Sequence, residues 1–170
     1  DIQKVENLKN SGLIYSGNKL TIEDVVNFIN ASASEAETEA LVVAEVEMVI
    51  QRINKLINSG DTAVINASRR LQLLDIAQLA NSERAVINSD LVLILDKIGV
   101  LTNLSAATIS SQNGSVSINA DSITNSGNYI DRFYDAEGNL VNEVYYSSLL
   151  YAQNKLSIET GKLTNADSGL

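Results

Sequence analysis

Apolar and polar positions along this chain follow an order that recurs, and each recurrence closes on an asparagine. In the clearest copy, residues 63–81, short apolar segments precede a closing group made of Ile76, Leu79 and Asn81. The equivalent asparagines are Asn10, Asn30, Asn58, Asn81, Asn103, Asn125 and Asn165. They are separated by 20, 28, 23, 22, 22 and 40 residues. Self-similarity at about 20–30 residues predicts a solenoid, in which each copy forms one coil stacked on the next.

Each copy contains three short segments in which apolar and polar residues alternate. In the clearest copy they begin at Ile65, Leu71 and Ile76. Alternation with a period of two is typical of a β-strand with one face turned inward. If every strand pairs with its counterparts in the adjacent coils, three parallel sheets with strands about 4.8 Å apart surround a narrow core. We therefore predict an all-β parallel β-helix of about seven coils, each of roughly 20–23 residues. Residues 1–170 are expected to form a single segment of a longer repeat array.

The closing group makes two further predictions. Ile53, Ile76 and Ile98 keep a constant offset from the asparagine that follows each of them, so they are expected to stack in the core. The asparagines are expected to occupy left-handed turn positions and to hydrogen-bond to one another along the stack. A row of ligand-binding asparagines is the alternative interpretation.

An acidic or helical insertion near residues 31–52 interrupts the regular spacing. Within the excursion 31–39, Ser34 and Glu37 have the spacing of a helix capping box. Apolar residues from Val42 to Leu56 also recur at helical intervals, so a helix is one alternative. The same residues match the coil position for position when they are aligned on Asn58, which favours the coil. The glutamates of this region lack the spacing of a calcium loop, so we expect a solvated turn and no metal site.

A second excursion lies near residues 131–149. The repeat stops after Ile130 and resumes at Leu150. The intervening sequence contains two short β-prone segments separated by a turn with Gly138, which predicts a hairpin.

Composition and charge exclude several classes of function. The formal net charge is −9, which disfavours nucleic acid and anionic membrane surfaces because both require a basic face. Cysteine and histidine are absent, which removes thiolate chemistry, Ser–His–Asp triads and the usual zinc sites. Apolar runs are too short to span a membrane. We expect no catalytic residues, no cofactor and no direct membrane insertion.

Aromatic residues are concentrated around the second excursion. The chain has six tyrosines and two phenylalanines, and six of these eight rings lie between residues 129 and 151. Tyrosine and arginine are enriched at binding hot spots. The predicted binding residues are Tyr129, Arg132, Phe133, Tyr134, Tyr145 and Tyr146. The alternative is that these rings attach the excursion to the solenoid, and both roles are compatible if different rings serve them.

The repeat, with its apolar-x-x-Leu-x-Asn-Ser-Gly ending, resembles the haemagglutinin repeats of filamentous-haemagglutinin-like exoproteins. The resemblance covers the chain apart from the two excursions. It implies a right-handed β-helix that is secreted or exposed on the bacterial cell surface after two-partner secretion. The function implied is the stalk or receptor-binding segment of a filamentous adhesin, with a role in virulence, or of a contact-dependent growth-inhibition effector. The partners implied are a receptor protein or glycan on a target cell, and an outer-membrane transporter during export.

The competing hypothesis is a β-helix enzyme that binds or cleaves polysaccharide. Glycoside cleavage requires two carboxyl groups about 5–10 Å apart. On this fold, that distance corresponds to acidic residues at equivalent positions of neighbouring coils. Asp75 has Lys97 as its counterpart one coil later, with Asp96 adjacent to it, so no acidic pair is aligned. The sequence therefore favours a non-catalytic protein.

Overall fold

The computed structural model describes residues 1–32 and 39–166, and in these ranges the chain consists of β-strands and short connections. The strands in chain order are β1 (Ile2–Asn10), β2 (Leu13–Ser16), β3 (Lys19–Ala31), β4 (Ala40–Ala44), β5 (Glu47–Ser59), β6 (Ala63–Ala67), β7 (Arg70–Ser82), β8 (Val86–Ser89), β9 (Val92–Leu104), β10 (Thr108–Ser111), β11 (Ser115–Ser126), β12 (Asn128–Tyr134), β13 (Leu140–Ser147), β14 (Leu149–Ala152) and β15 (Lys155–Ala166). Within the described ranges, nothing takes the form of an apolar helix of membrane-spanning length.

Two parallel sheets enclose the core, which confirms the prediction of an all-β parallel β-helix. The long sheet has the strand order β1-β3-β5-β7-β9-β11-β15, and the short sheet has the order β14-β10-β8-β6-β4-β2. Successive strands of one sheet belong to successive coils, so every pairing is with the coil above or below. Antiparallel strands β12 and β13 form a separate hairpin.

The prediction of three sheets was wrong, because the second and third apolar segments of each copy form one bent strand. In β7 the bend is at Asp75, whose φ of 54° lies in the left-handed region. Pairing with β5 continues on both sides of the bend, from Ile50 with Leu73 to Ile53 with Ile76. A single left-handed residue therefore turns the chain without ending the strand, as a β-bulge does.

The inward side chains form continuous columns along the solenoid. Ile53 pairs with Ile76 and Ile76 with Ile98, and all three side chains are at most 2% exposed. The prediction of this stack is confirmed. Similar columns of leucine, isoleucine and valine fill the rest of the core, because alternation along each strand sends every second residue inward.

Residues 40–59 fold as strands, so the helical alternative was wrong and the favoured coil is confirmed here. Val42 pairs with Ile65 of β6, and Met48 pairs with Leu71 of β7. Burial in β4 and β5 alternates with a period of two, since Val42 and Met48 are fully buried whereas Val49 is partly exposed. Pairing with adjacent coils satisfies backbone groups that an isolated amphipathic helix would satisfy locally. The capping-box residues Ser34 and Glu37 lie outside the described residues.

The closing asparagines form a hydrogen-bonded ladder along the stack. Each side-chain Nδ2 donates to the Oδ1 of the next asparagine, at 2.7–2.8 Å, from Asn10 through to Asn165. The amides also donate to the backbone, as from Asn103 Nδ2 to the Ala107 carbonyl at 2.9 Å. The ladder was predicted correctly, but its left-handed conformation was not. These asparagines lie in extended strands, and the left-handed positions belong to other residues.

Candidate binding site on the hairpin

The predicted hairpin is confirmed, and it emerges between the end of β11 at Ser126 and the start of β14 at Leu149. It begins at residue 128, three positions before the predicted excursion. Arg132 pairs with Glu143 across the two strands. The turn is closed by Asp135, whose Oδ1 accepts hydrogen bonds from the backbone N–H groups of Asn139 at 2.8 Å and Glu137 at 3.0 Å. These bonds, that from Asn139 foremost, lower the pKa of Asp135.

The base of the hairpin is attached to the solenoid through Ser148. This serine is fully buried, and its hydroxyl donates to the Ser126 carbonyl at 2.7 Å. The same oxygen accepts a hydrogen bond from the Ala106 backbone N–H at 3.1 Å. Ala106 lies in the turn between β9 and β10, so the hairpin is anchored to the preceding coil as well as to its own.

One face of the hairpin is held against the solenoid by Arg84. The Arg84 Nη1 lies 3.7 Å from the Asp131 carboxylate, and the guanidinium carbon lies 4.9 Å from the centroid of the Tyr146 ring. Arg84 belongs to the turn between β7 and β8, where it also approaches Asp61 at 3.4 Å. Tyr146 is therefore a structural contact that attaches the hairpin, with a cation–π interaction as its basis.

The opposite face of the hairpin presents a connected polar and aromatic group to solvent. Arg132 Nε lies 2.9 Å from Glu143 Oε1, and the Tyr145 hydroxyl donates to Glu143 Oε2 at 2.7 Å. Strand alternation places Tyr134 on the same face. Tyr134 and Tyr145 are 59% and 61% exposed. Arg132, Tyr134, Glu143 and Tyr145 are called the outward face below.

The charges of the outward face perturb one another. The hydrogen bond from Tyr145, and then that from Arg132, hold the pKa of Glu143 below its usual value. The bond to Glu143 raises the pKa of Tyr145 and that of Arg132. Because Arg132, Glu143 and Tyr145 are joined to one another, these three side chains are held in one arrangement before any ligand binds, which reduces the entropy lost on binding.

Five of the six predicted binding residues have described side chains, and these lie on the two faces of the hairpin. Arg132, Tyr134 and Tyr145 lie on the outward face, whereas Tyr146 contacts Arg84. Phe133 is 48% exposed and lies by alternation on the side of Asp131. The backbone of Tyr129 pairs with that of Tyr146, and its side chain lies outside the described part of the structure.

Sequence reasoning missed Glu143 and Arg84. Glu143 could have been found from the hairpin itself, since a turn centred near residue 137 places it opposite Arg132. Arg84 gave no such signal, because its contact with the hairpin depends on which turn lies beside it in the folded stack.

A row of charged residues follows the left-handed bend of the long strands. Its members along the stack are Lys4, Asp24, Arg52, Asp75 and Lys97, so the sign alternates at every step. Arg52 Nε lies 2.5 Å from Asp24 Oδ1, and this hydrogen bond lowers the pKa of Asp24. Asp75 lies between Arg52 and Lys97, so its neighbours along the stack are cations and not a second carboxylate. Across the described ranges, no three acidic side chains come together as metal ligands would.

Comparison with protein families, characterised proteins and solved structures finds no match for this chain.

Proposed function

We propose that this chain is a non-catalytic binding segment of a large filamentous protein that is secreted or exposed on a bacterial surface. The parent would be an adhesin or a contact-dependent growth-inhibition effector. The partner is a receptor protein or glycan on a target cell, and an outer-membrane transporter handles the chain during export. The observation that carries the proposal is that the hairpin has two different faces. The attached face, with Asp131 and Tyr146, contacts Arg84 of the solenoid, and the outward face is exposed.

The outward face has the properties of a binding hot spot on a rigid scaffold. Loops and hairpins placed on stacked sheets concentrate binding residues, because the scaffold fixes their position. Tyr134 and Tyr145 offer large amphipathic surfaces that lose little side-chain entropy on binding. Arg132 and Glu143 add one donor group and one acceptor group that a complementary partner can engage.

The contacts between the attached face and the solenoid fix the direction in which the outward face points. Since Ser148 and Arg84 fix the hairpin at its base and along one side, the outward face has a defined direction relative to the solenoid. A hairpin needed only to connect two coils would require no such exposed aromatic group, because the connections β5–β6, β7–β8 and β9–β10 are each three residues long.

The test is a pull-down from target-cell envelopes with the unaltered chain, three point variants and one variant that lacks the hairpin. Tyr145→Ala and Tyr134→Ala should each weaken capture by about 1–3 kcal/mol, a factor of roughly 5–150. Val100→Ala is the control, because Val100 is a 45% exposed apolar residue on the long sheet. Capture that is equally strong for all variants would refute the proposal. So would undiminished capture by a chain whose residues 128–147 are replaced with a short connection.

A further inference from the structure

A polar pocket lies on the outer surface of the short sheet, at the opposite ends of its strands from the hairpin. Its volume is about 200 Å³, and it is lined by Asn66, Ser68, Asn88, Asp90 and Gln112. Asn66 and Asn88 lie in β6 and β8, and the other three residues each follow a strand of this sheet by one position. Amide, hydroxyl and carboxylate groups of three adjacent coils therefore converge in one pocket.

One side-chain atom of the lining residue Asn88 has no hydrogen-bond partner. Asn88 Oδ1 is buried and accepts no hydrogen bond from any described residue. An unsatisfied buried acceptor costs about 1–3 kcal/mol. Asn88 as a residue is only partly buried, so rotation of its side-chain amide would bring Oδ1 to a donor in the pocket and regain that energy. Asp90 Oδ1 accepts one bond, from Asn113 Nδ2 at 2.7 Å, and a carboxylate has room for roughly three more. The pocket thus calls for a ligand rich in hydrogen-bond donors.

Two exposed tyrosines flank the pocket along the same row of the sheet. Register places the following residues side by side on successive strands: Tyr15, Val43, Asn66, Asn88, Ser110 and Tyr151. Each tyrosine is two strands, about 9.6 Å, from the nearer asparagine, and the row is about 24 Å long. Tyr15 is 54% exposed and Tyr151 is 39% exposed.

The tyrosine rings are held in place by the adjacent row of polar residues. The Tyr15 hydroxyl donates to Glu45, and the Tyr151 hydroxyl donates to Gln153. Glu45 and Gln153 follow β4 and β14 by one position, as Ser68, Asp90 and Gln112 follow their own strands. Two parallel rows, one ending in aromatic rings and one wholly polar, therefore run along the axis of the solenoid.

The two rows and the pocket that they line are called the strip below. The chemistry of the strip favours one class of ligand. The volume of the pocket, about 200 Å³, is far more than one bare cation requires. The lining groups are amides, a hydroxyl and a carboxylate, which do not suit a phosphate or sulfate anion. Many hydroxyl donors joined to apolar ring faces are the property of a saccharide, which can hydrogen-bond in the pocket and pack on tyrosine rings. We propose that this strip binds a neutral saccharide chain lying parallel to the solenoid axis.

The test uses a panel of neutral hexose and N-acetylhexosamine oligosaccharides of one to six units, titrated against the whole chain by calorimetry. At least one series should bind, with an affinity that increases with chain length. Asn88→Ala and Asp90→Ala should each weaken binding about tenfold or more, which corresponds to about 1.4 kcal/mol. The matched control is Asn54→Ala, because Asn54 is exposed on the long sheet away from the pocket. Thermal melting of each variant verifies that the solenoid remains folded.

The tyrosines provide a second, independent measurement. Tyr15→Phe keeps the ring and should retain most of the affinity for the longest oligosaccharide, whereas Tyr15→Ala should lose it. Absence of binding by the whole panel at millimolar concentration would overturn the proposal. Binding that survives Asn88→Ala but is lost in Tyr145→Ala would place the saccharide on the hairpin and overturn it as well. Calcium binding that Asp90→Ala abolishes, without any saccharide binding, would likewise refute it in favour of a cation site.

Discussion

The guanidinium of Arg84 stacks 4.9 Å from the ring centroid of Tyr146, and this contact joins the hairpin to a turn that lies 62 positions earlier in the chain. The two residues belong to different coils, so the hairpin is not simply an appendage of the coil that produces it. Its orientation depends on the stack beneath it.

The first prediction concerns that contact. Arg84→Ala removes the cation–π interaction and the ion pair with Asp131, which together stabilise the attached face by about 1–2 kcal/mol. We expect faster amide exchange in residues 128–147 and an unchanged melting transition of the solenoid, because the core columns do not involve Arg84. Arg84→Lys should give an intermediate result, since it keeps the charge but loses the planar stack. Unchanged exchange in the alanine variant would show that Ser148 alone holds the hairpin.

The second prediction concerns the core column at Ile76. Ile76→Ala removes buried methyl groups between Ile53 and Ile98 and should lower the free energy of unfolding by about 2–5 kcal/mol. Ile76→Asp should prevent folding, because it buries a carboxylate that has no partner. Chemical denaturation measures the first effect, and circular dichroism the second. Ile76→Val is the control, with an expected loss of about 0.5–1.5 kcal/mol.

A third prediction separates the buried middle of the asparagine ladder from its exposed end. Asn81 Nδ2 donates to Asn103 Oδ1 at 2.8 Å, and Asn81 itself is fully buried. Asn81→Ala removes the amide that donates to Asn103 Oδ1 and to the carbonyls of Ala85 and Thr108. Each group left unsatisfied should lower the free energy of unfolding by about 1–3 kcal/mol. Asn10→Ala should have a smaller effect, because water can reach the partly exposed end of the ladder. Equal losses of stability in urea titrations of the two variants would contradict burial as the cause of the larger loss at Asn81.

The fourth prediction is a pH dependence of the outward face. The pKa of Glu143 is lowered from its ordinary value of 4.5. The stability that its carboxylate gives to the outward face is therefore complete above pH 4.5 and is lost as the pH falls through the folded-state pKa. The pKa of Tyr145 is raised from 10.0. The stability that its hydroxyl gives to the outward face is therefore complete below pH 10.0 and is lost as the pH rises through the folded-state pKa. The face should therefore keep one arrangement between about pH 5 and pH 9.

Ultraviolet titration of tyrosine ionisation checks this directly. Tyr145 should ionise at a higher pH than a free tyrosine, and Glu143→Gln should move its ionisation back toward pH 10.0. Tyr145→Phe identifies which part of the absorbance change belongs to this residue. Ionisation of Tyr145 that is insensitive to Glu143→Gln would mean that the hydrogen bond between them does not form in solution.

The sequence predicted the stacked features of the fold because those features repeat. Ile53, Ile76 and Ile98 hold the same place in every copy, and so do the asparagines after them. Each coil buries the same face, so a constant offset in sequence becomes a column in space. The hairpin was also predictable, since its two segments and the turn with Gly138 are local in sequence.

The bend in the long strands was not predictable for a specific reason. Left-handed backbone is expected at glycine, asparagine or aspartate, whereas Lys4, Arg52 and Lys97 occupy three of these positions. No shared residue type marks the bend, so one bent strand was interpreted as two. Arg84 and the pocket at Asn88 escaped notice for a different reason: both depend on contacts between coils that the repeat places side by side but does not encode in any single motif.

The alternating charges along that bend discriminate between correct and incorrect coil order. With the coils in sequence order, each charge has neighbours of opposite sign. A folding chain that skipped one coil would bring two like charges together, and the coil skipped decides which pair: Lys4 and Arg52, Asp24 and Asp75, or Arg52 and Lys97. Repeats with nearly identical cores are prone to this kind of mispairing, because the inward side chains of one coil can pack against those of any other coil. Repulsion at the skipped step would therefore disfavour the incorrect stack, which the hydrophobic core alone could not distinguish from the correct one.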